Sequence, residues 1–226
     1  MEDSRVSSTY LYIVVFFSGM TTLAVELSAS RLLGNVFGTS NLVWANIIGL
    51  MLLYLTVGYF IGGRLADRYA THAALYRIII LAAFLSAIVP LISTPVLRAA
   101  SRAVIGAEAA LAIGSFIAVL VLFALPVTLM GMVSPFAIRL SISTVEDAGT
   151  VSGRIYALST LGSLLGTFLP VLVTIPLIGT TRTFLFFAAV LFAVGFVGIL
   201  LERGYRSSWM LVLPALVVVG LLWTET

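Results

Sequence analysis

One carboxylate stands where water is not expected. Glu26 lies late in a long apolar run, five residues before Arg31. An ionisable group inside such a run is costly to bury, usually faces the interior of a helical bundle, and by default marks a path for ions, protons or substrate. Glu26 is therefore a candidate proton or cation site, or a contact to a cationic substrate. The structural alternative is a carboxylate held by an arginine or a backbone donor near the membrane edge. Glu26 and Arg31 together define the candidate intramembrane site. A separation of five residues nevertheless places them on different faces of one straight helix, so they pair poorly with each other.

A second group of charges closes the next apolar run. The stretch 58–68 reads Gly58-Tyr-Phe-Ile-Gly62-Gly63-Arg64-Leu-Ala-Asp67-Arg68. Gly58 and Gly62 form a small-xxx-small face that admits a neighbouring helix closely. Arg64, Asp67 and Arg68 form a compact charged turn. Such a turn can latch one conformation, its carboxylate meeting an arginine or a helix N-terminus in one state only. It is equally an ordinary charged turn at a membrane edge.

A third stretch runs from Pro126 through Gly131 and Pro135 to Arg139, and resumes after Glu146 and Asp147 at 153–166. Gly162 and Gly166 offer another close-packing face. Tyr156, Ser159, Thr160 and Ser163 offer hydroxyls for a polar cleft. Hydroxyls in membrane helices also bond their own backbone or a neighbour, and packing is the favoured reading for this helix.

Other chemistries are excluded. There is no cysteine, hence no disulfide, thiolate metal site or thiol nucleophile. The single histidine, His72, leaves no partner for a histidine metal site, a haem or a Ser-His-Asp triad. No cofactor is expected, and no basic patch suited to nucleic acid is present.

The elements that carry these residues are apolar helices. Of the 226 residues, 61% are hydrophobic and only 9% charged, against about a quarter charged in soluble domains. Mean hydropathy is +1.19, leaving no stretch for a water-facing fold. With about 20 apolar residues needed per crossing, seven runs qualify: 10–33, 42–61, 73–92, 109–130, 155–178, 184–201 and 209–223. Pro126 and Pro135 predict a kink at the end of the fourth. The seventh is short and contains Pro214. The stretch 94–108 has helical spacing and is expected along the outer membrane surface. Trp44, Trp209 and Trp223 fit interfacial anchors. The phenylalanines of 184–196 read as lipid-facing or packing surface.

The expected fold is thus all-α, a polytopic transmembrane bundle of about seven helices forming one integral membrane domain over 1–226. Residues 1–9 are the expected cytoplasmic tail, 10–223 the bundle and 224–226 a short C-terminal tail. Continuous apolar runs without period-two alternation argue against a β-barrel. All twelve basic residues are arginine. Arg5, Arg64, Arg68, Arg77, Arg139, Arg154, Arg203 and Arg206 fall on one side of the expected topology; Arg31, Arg98, Arg102 and Arg182 fall on the other. The positive-inside rule then places the N-terminus in the cytoplasm, in a plasma membrane of prokaryotic type.

Three blocks carry a family resemblance. They are Phe17-Ser-Gly19 through Glu26 to Arg31-Leu-Leu-Gly34 and Phe37-Gly38, the turn at 58–68, and 126–139 with 153–166. Together they resemble the N-terminal membrane domain of the fused spermidine synthase-like proteins, whose membrane part is similar to the major facilitator superfamily. The Gly-Gly-Arg-Leu-Ala-Asp-Arg turn is similar to the loop between that superfamily's second and third helices. The resemblance implies a half-superfamily bundle. In relatives it also implies a soluble aminopropyltransferase-like domain with a Rossmann-type fold. No Gly-rich strand–turn–helix for such a domain occurs within 1–226, and only nine residues are acidic. No enzymatic activity is therefore expected of this chain. Three roles follow: binding or moving a small cationic or amphipathic solute; serving as an accessory subunit in a larger membrane complex or homo-oligomer; or forming the membrane half of a split enzyme. The lipid bilayer is the common partner in all three.

Overall fold

The computed structural model describes residues 2–102 and 108–202. Among these the chain is helical apart from short connections. The elements are α1 (Glu2–Phe37), α2 (Asn41–Arg68), α3 (His72–Arg102), α4 (Glu108–Gly131), α5 (Val133–Ser141), α6 (Ala148–Leu169), a π-helical turn (Pro170–Thr174) and α7 (Ile175–Leu201).

Five stretches are long and apolar enough to cross a membrane: Thr9–Phe37, Asn41–Arg68, His72–Ser101, Leu111–Ser141 and Ala148–Leu201. The last has 54 residues. Straight, it would extend about 80 Å, far beyond the hydrocarbon thickness of a bilayer. It is not straight. Gly179 adopts φ 81° and ψ 168°, a conformation barred to other residues by their Cβ. The Thr183 hydroxyl donates to the Gly179 carbonyl at 2.8 Å and shares a 3.0 Å hydrogen bond with the Thr174 hydroxyl. Residues nine apart in a straight helix lie roughly 13 Å apart along its axis, so the chain doubles back at Gly179. Each arm, 148–178 and 180–201, is itself long enough to cross. The fifth and sixth expected runs are thus joined by a tight break. The seventh, 209–223, lies outside the described residues.

Several expected boundaries need correction. Residues 2–9, expected as a tail, continue α1 as helix. The stretch 94–102, expected as a separate surface segment, is the last part of α3, which continues past Pro90 and Pro95. The fourth run extends to Ser141, and its discontinuity lies between α4 and α5 at Met132. Pro135 falls in the first turn of α5, where its missing N–H has no intrahelical partner to lose. Between α1 and α2, Gly38 at φ 77° stops the first helix and Ser40 caps the second, its hydroxyl accepting from Val43 N–H.

Packing is organised in pairs. α1 lies on α6 with both running in one direction, since Phe16 meets Gly162 and Met20 meets Gly166. α2 runs alongside α4, with Gly58 against Thr128 and Gly131 and Gly62 against Met132. α3 and α7 run antiparallel, bringing Tyr76 to Gly198 and Ile79 and Ile80 to Gly195. A Cβ at Gly58, Gly62, Gly162 or Gly166 would collide with a neighbouring backbone, so these four positions set the distance between helices. One apolar core spans the bundle and includes Phe37, Met51, Phe123, Phe136 and Phe184. Phe184 and Phe187 are buried, whereas Phe186 is exposed, so the phenylalanine-rich run serves both packing and surface. Trp44 is exposed, as an anchor should be; Trp209 and Trp223 lie outside the described residues.

Candidate functional site

The carboxylate of Glu26 is held on a particular face of α1. Leu23, Glu26, Leu27 and Ser30 recur at three- and four-residue spacing and share one side of the helix. All four are half-buried. Thr22, Ala24, Val25, Ser28 and Ala29, on the other sides, are buried. Between Thr22 and Ser30 the helix is thus buried on its other sides and half-buried along this strip.

α6 crosses α1 at Gly19, Gly162 and Gly166, and Leu169 at its end packs with Met20, Ala24 and Phe187. Pro170 opens the π-helical turn beside this region. A proline lacks the N–H that would continue the regular ladder, and π-turns often accompany functional positions.

Glu26 has no hydrogen-bond or ion-pair partner among the described residues. Arg31, five residues on, is exposed and makes no ion pair with it, as the helical spacing requires. Ser30 donates its hydroxyl proton to the Leu27 carbonyl at 2.8 Å. Its oxygen is left as an acceptor only. The strip therefore presents a carboxylate and a hydroxyl oxygen between two leucines, with acceptors and no side-chain donor.

The polar cleft expected from Tyr156, Ser159 and Ser163 divides in the structure. Ser163 donates to the Gly19 carbonyl at 3.2 Å, and the Ser159 backbone lies against Gly19, so both serve the α1–α6 crossing. Thr160 bonds its own helix at Tyr156. Tyr156 and Thr160 remain exposed, and Tyr156 lies near Tyr59 of α2. Its neighbour Ile155 packs on Val15, which places the tyrosine pair about 16 Å along the α1 axis from Glu26.

The charged turn also differs from its expected form. Asp67 pairs with Arg139 of α5, Nε to Oδ1 at 3.2 Å, and not with its sequence neighbours Arg64 or Arg68. Arg68 lies over the Tyr69 ring at 5.4 Å. The ion pair ties the end of α2 to the end of α5 across 72 residues of chain. Both partners are well exposed, so its worth in stability is small.

Sequence reasoning missed one further cluster. His72 Nδ1 lies 3.7 Å from Glu202 Oε1, joining the start of α3 to the end of α7. The Tyr76 ring sits beside His72 and edge-on to Tyr10, whose hydroxyl donates to the Val194 carbonyl. Burial pushes the Glu202 carboxyl above the usual carboxylate range, while His72 and Arg77 pull it back down. Among the described residues, no group of three or more metal-ligating side chains gathers.

No protein-family model, curated protein or solved structure matches this chain.

Proposed function

We propose that this chain is a membrane domain of the spermidine synthase-like, major facilitator-like kind, with seven crossings and a cytoplasmic N-terminus, that binds or moves a small cationic or amphipathic solute at Glu26. The observation that carries the reading is the state of that carboxylate: half-buried, inside an apolar helix long enough to cross a membrane, and without a hydrogen-bond or ion-pair partner among the described residues. A structural carboxylate would be expected to hold a cation or a donor of its own chain. Among the described residues Glu26 holds neither, which supports a counter-charge supplied by a ligand.

Topology supports the same reading. Six arms among the described residues are half of a twelve-helix permease. The end of the bundle where α2 stops and α3 starts bears Arg64, Arg68, Arg77, Arg139 and Arg154, while Arg31, Arg98 and Arg182 lie at the other. That asymmetry favours a cytoplasmic N-terminus. The Asp67–Arg139 pair acts as the latch, since an exposed pair between two helix ends breaks at little cost when the helices part.

The accessory-subunit reading relies on glycine faces and phenylalanine-rich helices that pack against other subunits. Gly58, Gly62, Gly162 and Gly166 pack inside the chain, which leaves that reading the exposed phenylalanines such as Phe186. Replacement of Glu26 by Gln tests the proposal. Loss of solute binding with unchanged yield, elution and melting supports it; parallel loss of fold and binding returns Glu26 to a structural role.

A further inference from the structure

The Glu26 strip also limits what kind of cation it accepts, if the reading above holds. Five acidic residues have described side chains. Asp67 is paired with Arg139, Glu202 with His72, and Asp147 accepts from Thr144. Glu146 lies exposed in the turn before α6. Only Glu26 lies within a crossing away from its ends. A site in the bundle therefore supplies one negative charge. A second positive charge on the same ligand would sit in an apolar environment without compensation, and such a charge is strongly disfavoured.

The donor set narrows the class further. The ionised carboxylate accepts only, and Ser30, its proton committed to Leu27, also accepts only. An ammonium with N–H donors satisfies both; a quaternary ammonium satisfies neither. A bare divalent ion takes six or more converging oxygens, and one strip of one helix presents a carboxylate and a hydroxyl. Leu23 and Leu27 on the same strip suit an apolar body beside the charged head.

From these features we infer that the Glu26–Ser30 strip binds a singly charged primary ammonium with an apolar body, in preference to diamines and to quaternary ammonium. Two sources share that chemistry: a free alkylamine, and the ammonium headgroup of an aminolipid reaching the uncovered strip from the bilayer.

The test measures equilibrium binding of butylammonium, 1,4-diaminobutane and tetramethylammonium to the delipidated protein in neutral detergent, at fixed ionic strength. In parallel, native mass spectrometry follows retention of phosphatidylethanolamine against phosphatidylcholine. The expected result is butylammonium at least tenfold tighter than the other two, with at least tenfold loss in Glu26→Gln. Retention of phosphatidylethanolamine over phosphatidylcholine that depends on Glu26 assigns the lipid source, whether or not free amine binds; its absence, with butylammonium binding, assigns the free amine. If the diamine or the quaternary ion binds as tightly as butylammonium and Glu26→Gln abolishes that binding, the class is wrong while Glu26 remains a cation site. Failure of all three amines and both lipids to bind, or equal binding by wild type and Glu26→Gln, overturns the class and the site together. Should Glu26→Gln not fold, the selectivity of the wild type still decides the class, and Glu26→Asp tests the site.

Discussion

The two ends of the bundle treat their carboxylates differently. At the arginine-rich end Asp67 meets Arg139 and Glu202 meets His72, each across helices far apart in sequence. Towards the other end Glu26 lies deeper in apolar surroundings and has no hydrogen-bond or ion-pair partner among the described residues. If carboxylates served stability alone, the most buried would be the best paired, because an unpaired charge costs most where water is scarce. The reverse holds here. Pairing is found where it matters least energetically, and the costly position is left open. That inversion is what the proposed ligand site at Glu26 calls for.

The largest effect belongs to the packing of α6 on α1 next to the strip. Gly166→Leu or Gly162→Leu would drive a side chain into the backbone of α1, and overpacking costs about 1–3 kcal/mol or more even where side chains can yield. The expected outcome is loss of monodisperse folded protein on size-exclusion chromatography. Gly153→Ala, which meets open space, should elute as wild type. Equal tolerance at all three positions would show that these glycines do not set the distance between α1 and α6.

Glu26 comes next, with two effects of opposite sign. Relieving the unpaired charge by Glu26→Leu should raise thermal stability by about 1–3 kcal/mol while abolishing cation binding. A destabilised Glu26→Leu variant would mean the carboxylate is satisfied within the fold, and the contrast between the two ends would vanish.

Glu202 provides a pH signature at the paired end. Folding raises its carboxyl above the ordinary value, so the folded state favours the protonated form. The contribution to stability is full below the unfolded value and is lost as pH rises through the folded one. Wild type should thus gain stability relative to Glu202→Gln as pH falls from neutral into the carboxylate range. Melting midpoints of the two proteins across pH 4–8 (about four units, spanning the carboxylate and histidine ranges) check this. A constant difference would show that the interactions with His72 and Arg77 cancel the effect of burial, and the opposite trend that they outweigh it.

The smallest change in stability is expected at the latch. Asp67→Asn should cost no more than about 0.5 kcal/mol, because both partners are exposed. Its effect should appear in conformation. Single cysteines placed in this cysteine-free chain at Tyr59 and at Leu23 should change their labelling rates when the pair is broken. Unchanged rates would leave Asp67–Arg139 as an ordinary surface ion pair.

Much of the architecture was legible because lipid imposes a simple code. Runs of about 20 apolar residues must be helices, since backbone groups find no other partners in hydrocarbon. The small-xxx-small spacings at Gly58–Gly62 and Gly162–Gly166 likewise identified positions of close approach. Boundaries were less legible. Hydropathy averages over a break as short as Gly179, and it cannot tell a surface helix from the end of a crossing one, as with 94–102. Hydroxyl roles were the least legible. Ser163 and Tyr156 have similar claims on a cleft by composition, yet one is spent on the Gly19 carbonyl and the other stays exposed.

By itself, then, the sequence determined that the chain forms helices long and apolar enough to cross a membrane, with a carboxylate inside the first and a charged turn after the second. Those properties depend on local composition and on the cost of burying polar groups, which act residue by residue. Only the tertiary structure decided that Asp67 belongs to Arg139, that Glu202 belongs to His72, and that Glu26 belongs to no residue of the described chain. Pairing depends on which helices lie side by side and in which direction. That in turn is set by backbone contacts at a few glycines whose partners lie tens to more than a hundred residues away.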